Sequence, residues 1–534
     1  MKNILILNLG RVDEVITASH FISSFIHEHK DANIEMIVNK EHTDVAEIVS
    51  GISKIHRVDI NRISQIFSTP IYSDAFAINE FTDSIAEVVD KEWNIVFNYC
   101  NDSLSSYLAS ALKTKDIFGT FISTDGVART SNKWATYQNH VSNILARPVI
   151  DTVSLRNHIA GIPTYTNLNR IKINEDYSTV ATQNFSRIRQ MKGSAATFVV
   201  GLNLNEGNDN YAMDIDTYSD VIEAIEESKD YKVVLLLNGK NYQRQLVNDL
   251  NQKFNNSLIS INVDNVALSS VISNVDAFIS TTNYQLAIAD AMNTKIIEVR
   301  DFNSDKFMPN TIGDGNYVIL NKQTSNLASD ILLALNEEFG TELPITTLNS
   351  VNPVYKTIHD ECGMFLSQIR GEINVQSELR YHLERAFTLE NMGYPHNTEL
   401  FSHLRENANQ EEMFTFITSL KENLTTTVKL LLSTLRSLKG LKNSETNLNS
   451  FITYLDNLMR MGREDSIVGS IVRQFEGRIE NIETTDIDSN IKMIESNLFQ
   501  LKSEIQTVTG IMTELTNKTD KGVEAPRSEV ISEL

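Results

Sequence analysis

The sequence predicts an α/β fold followed by an all-α region: two modules of parallel strands with crossover helices, then a long stretch of helix. Three observations predict it. Short β-branched runs alternate with helical patterns up to about residue 340. That alternation starts twice. Beyond Pro353 the rhythm reads as helix throughout, and no proline occurs between Pro395 and Pro526, a span that few helix breakers interrupt.

The first module opens with a buried strand, Ile4–Leu9, which Gly10 ends. A helix follows with Val15, Ile16, Phe21, Ile22, Phe25 and Ile26 on one face. Ile34–Val38 is the next strand, Val45–Ile48 a short helix and Ile55–Ile60 a strand. Phe81–Val89 is helical, Asn94–Tyr99 a strand and Leu104–Leu112 a helix. Strands that alternate with helices in this way lie parallel in one sheet, a Rossmann-like arrangement.

After a less regular segment over 120–195 the pattern restarts. Phe198–Leu202 is a strand that ends in a polar loop, Asn203–Asn210. Helices over Tyr218–Glu226, Tyr242–Leu250 and Leu286–Met292 separate strands at Lys232–Leu237, Leu258–Ile261, Ala277–Ser280 and Lys295–Val299. Two such modules imply a cleft, and ligands of open α/β sheets sit outside the carboxyl ends of the strands. The expected partition is 1–180, 181–345, a helical bundle or coiled-coil region over 346–517, and a polar tail over 518–534.

Within the helical region one stripe is unbroken: Ile487, Ile491, Ile494, Leu498, Leu501, Ile505, Val508, Met512 and Leu515. The alternating spacing of four and three is a heptad seam. Ile417, Leu420, Leu424, Val428, Leu431, Leu435 and Leu438 form a second. The seams predict either an antiparallel bundle within one chain or a homo-oligomer joined through 487–515.

Composition narrows the function classes. Of 534 residues, 41% are apolar and 22% charged, enough for sizeable cores and too apolar for general disorder. With 47 basic and 69 acidic side chains the net charge is −22, which argues against a nucleic-acid binder, because phosphate contacts need surplus cations. No apolar run approaches the roughly 18 residues of a membrane span, and the first ten residues lack a cleavage-site pattern. The expectation is a cytoplasmic protein, with peripheral membrane association left open. Cys100 and Cys362, two cysteines in all, cannot build a disulfide framework or a four-thiolate zinc site. His359-Asp360-Glu361-Cys362 mixes ligand types without a partner cluster, so no metal is expected.

Three loops are candidates for chemistry. Gly10-Arg11-Val12-Asp13-Glu14 opens a helix after the first strand. Its backbone N–H groups attract anions, and Asp13 or Glu14 could take a proton from a hydroxyl; equally, both carboxylates could simply stabilise the helix start. Asn203, Asn205 and Gly207 lie in the polar loop after Phe198–Leu202, where backbone could approach a phosphate closely. Ser280-Thr281-Thr282-Asn283 joins a strand to a helix, and Thr281, Thr282 and Asn283 there suit either a diphosphate or an ordinary helix cap.

In order and spacing, four segments resemble the bacterial heptosyltransferase-like glycosyltransferases. Ile4 through Ile16 is similar to that family's opening strand and L-G-x-x-G-D-V loop. Asn94–Tyr99 with Ser103–Leu112 is similar to its D-L-V-I-D-L strand and serine-containing helix. Phe198–Asn203 is similar to the strand that opens its donor domain. Ile279–Asn293 follows its I-S-x-D-S-G-x-x-H-L-A-A-A-L-G motif without a gap. The resemblance covers about the first 340 residues and implies the GT-B fold, two Rossmann-like domains facing across a cleft.

It also implies inverting transfer of a sugar, heptose-like or otherwise, from a nucleotide-sugar donor to a glycan or protein acceptor, without a metal or other cofactor. Glu14 takes the place of the family's base, with Asp13 where a glycine precedes it. Gly10, Asn203, Asn205, Gly207, Thr281, Thr282 and Asn283 are the expected donor-binding residues. The chain departs from the family where an Asp becomes Thr282, a His becomes Ala287 and no lysine occurs in Asn203–Asn210. Those departures keep a second reading open, a degenerate transferase that scaffolds a complex through its helices. The stretch Ile60–Asp90 has one basic residue, Arg62, against five acidic ones, a charge that fits a neutral glycan or a protein acceptor better than an anionic lipid.

Overall fold

The computed structural model describes residues 2–69, 74–100, 102–165, 168, 170–191, 197–204, 213–237, 241–281, 283–303, 307, 311–341, 350–396, 401, 409–441, 445–464, 466–482 and 486–517. The expected donor residues Asn205, Gly207 and Thr282, and the tail over 518–534, lie outside them.

The first module is a five-stranded sheet in which every neighbouring pair runs parallel. Its strands are β1 (Lys2–Asn8), β2 (Ala32–Asn39), β3 (Ile52–Val58), β4 (Glu92–Asn98) and β5 (Lys113–Phe118), in the order β3-β2-β1-β4-β5. β1 is a near-continuous apolar run, as a strand covered on both faces must be. Leu5, Leu7, Ile37 and Val96 form a core on one side with Ile85, Val88 and Leu108 from two helices. The helix Val12–Glu28 buries Val15, Ile16, Phe21, Ile22 and Phe25 on the other. The sequence placed a strand to residue 60; β3 instead stops at Val58, because the Asp59 carboxylate caps a new helix, Ile60–Ser68, by accepting the Arg62 N–H.

A short hairpin, β6 (Thr120–Ile122) and β7 (Ala128–Thr130), leads away from the sheet. The second module has the strands β8 (Phe198–Asn203), β9 (Tyr231–Leu237), β10 (Ile259–Asn262), β11 (Ala277–Thr281), β12 (Lys295–Asp301), β13 (Tyr317–Asn321), β14 (Val354–Asp360) and β15 (Gly363–Arg370), in the order β10-β9-β8-β11-β12-β13-β14-β15. The first six run parallel and the last two form an antiparallel edge. Helices at Ile215–Glu227 and Thr324–Phe339 cover one face with Val221, Ile222, Ile225, Leu327, Ile331 and Leu335.

β14 and β15 correct the helical reading of the chain after Pro353. Val354, Tyr355 and Thr357 are buried β-formers, and the turn closes at Gly363, whose φ of +130° suits glycine. Gly371, at φ +88°, ends β15 so close to the chain that a side chain there would meet the Asn352 carbonyl. The hairpin therefore belongs with the second sheet, and helices begin only at Val375. A boundary at residue 180 likewise falls inside a helix, Glu175–Gln190, which Arg189 ties to the second module through Asp276.

The chain divides into two compact units, one of residues 1–135 and 150–372, the other of residues 136–149 and 373–534. Both sheets lie in the first. The second is helical: Val375–Met392, Gln410–Gly440, Glu445–Met461, Ile467–Glu480 and Ile487–Asn517. Its non-contiguous piece is held by Arg147, which pairs with Glu378 and covers the Tyr381 ring. Such long-range pairs leave no local pattern, which is why the sequence placed 136–149 in the first module. The heptad seam folds inward: Leu498, Leu501, Ile505, Val508, Met512 and Leu515 are buried with Leu420, Leu424, Leu431 and Leu435 of the second seam. The seam residues from 498 to 515 thus pack within their own chain, as the bundle alternative expects.

Candidate functional site

Strand order reverses between β1 and β4 in the first sheet and between β8 and β11 in the second. These switch points splay the adjoining loops apart and are where such sheets take ligands. The expected residues that the structure describes gather at these two places.

At the first, Gly10 follows β1 and the helix Val12–Glu28 opens behind it. The Arg11 backbone N–H donates to Glu14 Oε2 at 3.2 Å, one half of a capping box. A Cβ on Gly10 would lie 1.9 Å from that oxygen and 3.5 Å from Cys100 Sγ, so the glycine is what lets the carboxylate fold against the backbone. Asp13 is occupied differently: the Arg11 Nε donates to its Oδ1 at 3.0 Å and a second Arg11 nitrogen pairs with Oδ2. Glu14 thus stands at the crevice with one oxygen on its own helix start, and Asp13 is neutralised by an exposed guanidinium.

Across the crevice, Tyr99 and Cys100 follow β4. The Tyr99 N–H donates to Leu7 O at 3.0 Å, which holds the two strand ends together. Burial pushes the Cys100 thiol up to about 12, with the Glu14 and Asp102 charges adding to it, so it is no nucleophile at neutral pH. Burial also pushes the Tyr99 phenol up to about 12, against the Arg156 charge. Asp102 then caps the helix Ser103–Ala111 through the Ser105 N–H at 2.8 Å.

At the second switch point Asn203 and Ser280 meet. Asn203 Nδ2 donates to Ser280 Oγ at 2.9 Å, and Asn283 Nδ2 donates to the same oxygen at 3.0 Å. Asn283 Oδ1 accepts the Gln285 and Leu286 N–H groups at 2.9 and 3.2 Å, the N-cap of the helix Tyr284–Ala291. Thr281 is buried, and its hydroxyl has no partner among the described residues. Asn283 therefore acts as a cap and as a brace for Ser280 together, while the Thr281 hydroxyl sits beside the strand end.

The two modules also meet away from the strand tips. His20 Nε2, on the helix Val12–Glu28, lies 3.0 Å from Asp290 Oδ2, on the helix Tyr284–Ala291. The contact has the distance of an ion pair without the alignment of a good hydrogen bond, and Oδ2 has no other partner. Asp290 Oδ1 accepts from the Ile312 and Gly313 N–H groups at 2.8 and 2.6 Å and from Thr311 Oγ1 at 3.1 Å. Burial alone would raise the Asp290 carboxyl, but His20 and these donors hold it below its ordinary value. Burial, followed by the Arg170 charge, holds the His20 imidazole below its own. Arg170 donates to Asn293 Oδ1 at 2.7 Å and bridges the modules again. These groups line a cavity of about 330 Å³ with Lys295, Asn316 and His359.

No protein-family model matches the chain, and no curated protein does. Solved structures do. A glycosyl transferase of family 9 from Veillonella parvula is 13% identical over 64% of this chain and 92% of its own, with a TM-score of 0.43. An E. coli ADP-heptose lipopolysaccharide heptosyltransferase II is 11% identical over 64% of this chain and all of its own, with a TM-score of 0.44. A putative UDP-N-acetylglucosamine 2-epimerase from Listeria monocytogenes is 13% identical over 65% of this chain and 93% of its own, with a TM-score of 0.36.

Sequence reasoning missed His20, Asp290, Arg170 and Arg156. His20 and Asp290 sit in apolar helical runs, and only Asp290, a carboxylate between Ala289 and Ala291, carries a local hint of a buried partner. His359-Asp360-Glu361-Cys362 is the turn of the β14–β15 hairpin, where Asp360 Oδ1 accepts the Cys362 and Gly363 N–H groups at 2.9 and 3.1 Å. Among the described residues no group of three or more metal-ligating side chains gathers.

Proposed function

We propose that the chain is a glycosyltransferase that moves a sugar from a nucleotide-activated donor to a glycan or protein acceptor with inversion. The observation that carries this reading is the pairing of two switch points in one compact unit. A carboxylate at a glycine turn stands at the first, and a hydroxyl and amide cluster at a helix start stands at the second.

In this reading the acceptor hydroxyl attacks the anomeric carbon and its proton passes to Glu14. The bond from that carbon to the diphosphate oxygen breaks as the new glycosidic bond forms. Charge developing on the departing diphosphate is met by Asn203, Thr281 and the positive end of the helix Tyr284–Ala291. Asn205, Gly207 and Thr282 complete the donor loop in the sequence. Asp13 is the weaker base, since its oxygens already serve Arg11. Catalysis requires Glu14 to leave the Arg11 N–H and turn to the acceptor, a rotation of one flexible side chain.

The capping role of Glu14 favours a second reading. If that carboxylate only stabilises the helix, the protein is a degenerate transferase whose helical unit scaffolds a complex. Thermal shift against ADP-, GDP-, UDP- and CMP-sugars separates the two. A ligand at 100 times its dissociation constant adds about 2.7 kcal/mol to stability. A rise with one donor supports the transferase. No rise with any of them leaves the scaffold.

A further inference from the structure

The two oxygens of Asp290 are treated unequally. Oδ1 collects the Thr311, Ile312, Gly313 and Asn316 donors. Oδ2 is buried with no hydrogen-bond partner among the described residues, and the residue as a whole is 1% exposed. His20 lies near that oxygen but is poorly aligned to donate to it. A buried carboxylate oxygen without a donor costs free energy that a ligand could recover. Asp290 stands in the wall of the cavity of about 330 Å³.

That cavity lies apart from the reaction cleft. Of its lining residues, Lys295 begins β12, Asn316 precedes β13, and His359 is near the end of the antiparallel β14. The cavity is therefore at the amino ends of β12 and β13. Thr281 closes the opposite, carboxyl end of β11, where ligands of such sheets bind. His20 and Arg170 wall the cavity from the side of the first module. Its volume is at the low end of the roughly 300–1,000 Å³ of small-ligand sites, which suits a monosaccharide better than a nucleotide sugar.

The charges of the wall already answer one another. Arg170 and Lys295 stand against Asp290 and Asp314. The Asp290 charge acts on the Arg170 guanidinium, and Lys295 pairs with Glu338 at 3.0 Å. A free anion would meet the carboxylates and a free cation the basic groups, so neither gains much. What the wall still offers is hydrogen bonding. Asp290 Oδ2 lacks a donor. Lys295 Nζ carries three donors, for Glu338 and a long 3.4 Å contact to the Asp314 carbonyl. A hydroxyl donates and accepts at once, and neighbouring hydroxyls are the mark of a sugar. We propose that this cavity is a second, non-catalytic carbohydrate site. It takes a neutral monosaccharide, with one hydroxyl donating to Asp290 and another accepting from Lys295. The bound sugar touches both modules and holds them together. The site goes beyond the transfer reading and does not depend on it.

Calorimetric titration of the full chain tests it with D-glucose, D-galactose, D-mannose and N-acetyl-D-glucosamine, beside sodium phosphate and methylammonium chloride. At least one sugar should bind saturably where the two salts do not. Asp290→Asn keeps an acceptor for the loop N–H groups and turns the other atom into a donor. It should weaken that sugar about tenfold or more, the size expected for one charge-assisted bond. Should Asp290→Asn fail to fold, Lys295→Met, at a side chain 38% exposed, replaces it with the same expectation. No sugar bound, binding of a salt alone, or unchanged affinity in the variant would overturn the inference. Thr281→Val separates the two sites, and sugar binding should survive it. Loss of binding in Thr281→Val would put the sugar in the cleft, overturning the inference and leaving the transferase reading in place. Sugar binding that depends on Asp290 in a protein that binds no nucleotide sugar would sink the transferase reading and leave this site standing.

Discussion

His20 and Asp290 join the two α/β modules through a buried contact of 3.0 Å, 270 residues apart in the chain. The carboxylate also collects the N–H groups that open the loop before β13. Removing it strands a buried imidazole and several donors at once. Asp290→Ala is expected to destabilise the protein by about 3–5 kcal/mol, read as a fall in the urea midpoint. Asp290→Asn, which keeps one accepting oxygen, should cost clearly less. Equal losses for the two would show that the accepted hydrogen bonds are not what the residue contributes.

The same groups make stability fall with acid in two stages. Burial lowers His20 from its ordinary 6.5, with the Arg170 charge acting in the same direction, and burial lowers His158 as well. An imidazole depressed by folding binds fewer protons in the native state than in the unfolded one. Its contribution is complete above pH 6.5 and declines as pH falls from 6.5 through the folded value. The Asp290 carboxyl is also depressed, so its contribution is complete above 3.8 and declines as pH falls below that. The urea midpoint should therefore drop as pH falls below 6.5, then again as it falls below 3.8. His20→Gln removes one titrating group and should make the first drop shallower; an unchanged slope would exclude His20 as its source.

What could be read from the chain divides by the range of the interaction. β1, β8 and β11 are apolar runs ended by glycine or polar residues, and helix caps such as Asp59, Asp102 and Asn283 lie within three residues of the groups they serve. Both switch-point loops were found for that reason. The β14–β15 hairpin was lost because Met364-Phe365-Leu366 suits a helix as well as a strand, and only Gly363 and Gly371 punctuate it. Arg156 stacks on Tyr99 and His20 reaches Asp290 across long sequence separations. No local period records such contacts, so the buried charges that distinguish this site emerge only from the fold.

Gly10 and Glu14 separate folding from chemistry. Alanine at Gly10 places Cβ 1.9 Å from Glu14 Oε2, but that atom ends a flexible side chain and can swing away. Gly10→Ala should lower stability by less than about 1 kcal/mol, comparable to the loss of a helix cap. It should still displace the carboxylate and reduce transfer. Glu14→Gln keeps an oxygen for the Arg11 N–H and should leave donor-induced thermal shift intact while kcat falls by about 10²–10⁴, the usual worth of a general base. Turnover retained in Glu14→Gln would remove Glu14 from the mechanism and direct attention to Asp13.

The long helix Ile487–Asn517 offers the last test, because its two ends differ. Ile487 is 73% exposed, whereas Leu498 and Leu501 are fully covered by the bundle. If the seam serves its own chain, Leu501→Ala leaves a cavity and costs about 2–5 kcal/mol, with no dependence on protein concentration. Ile487→Ser should change stability by no more than about 0.5 kcal/mol, as surface substitutions do. Urea unfolding at two protein concentrations, with size exclusion alongside, reads both. A midpoint that rises with concentration in the parent and loses that dependence in Leu501→Ala would mean that a second copy covers the seam, since an intrachain core unfolds independently of concentration.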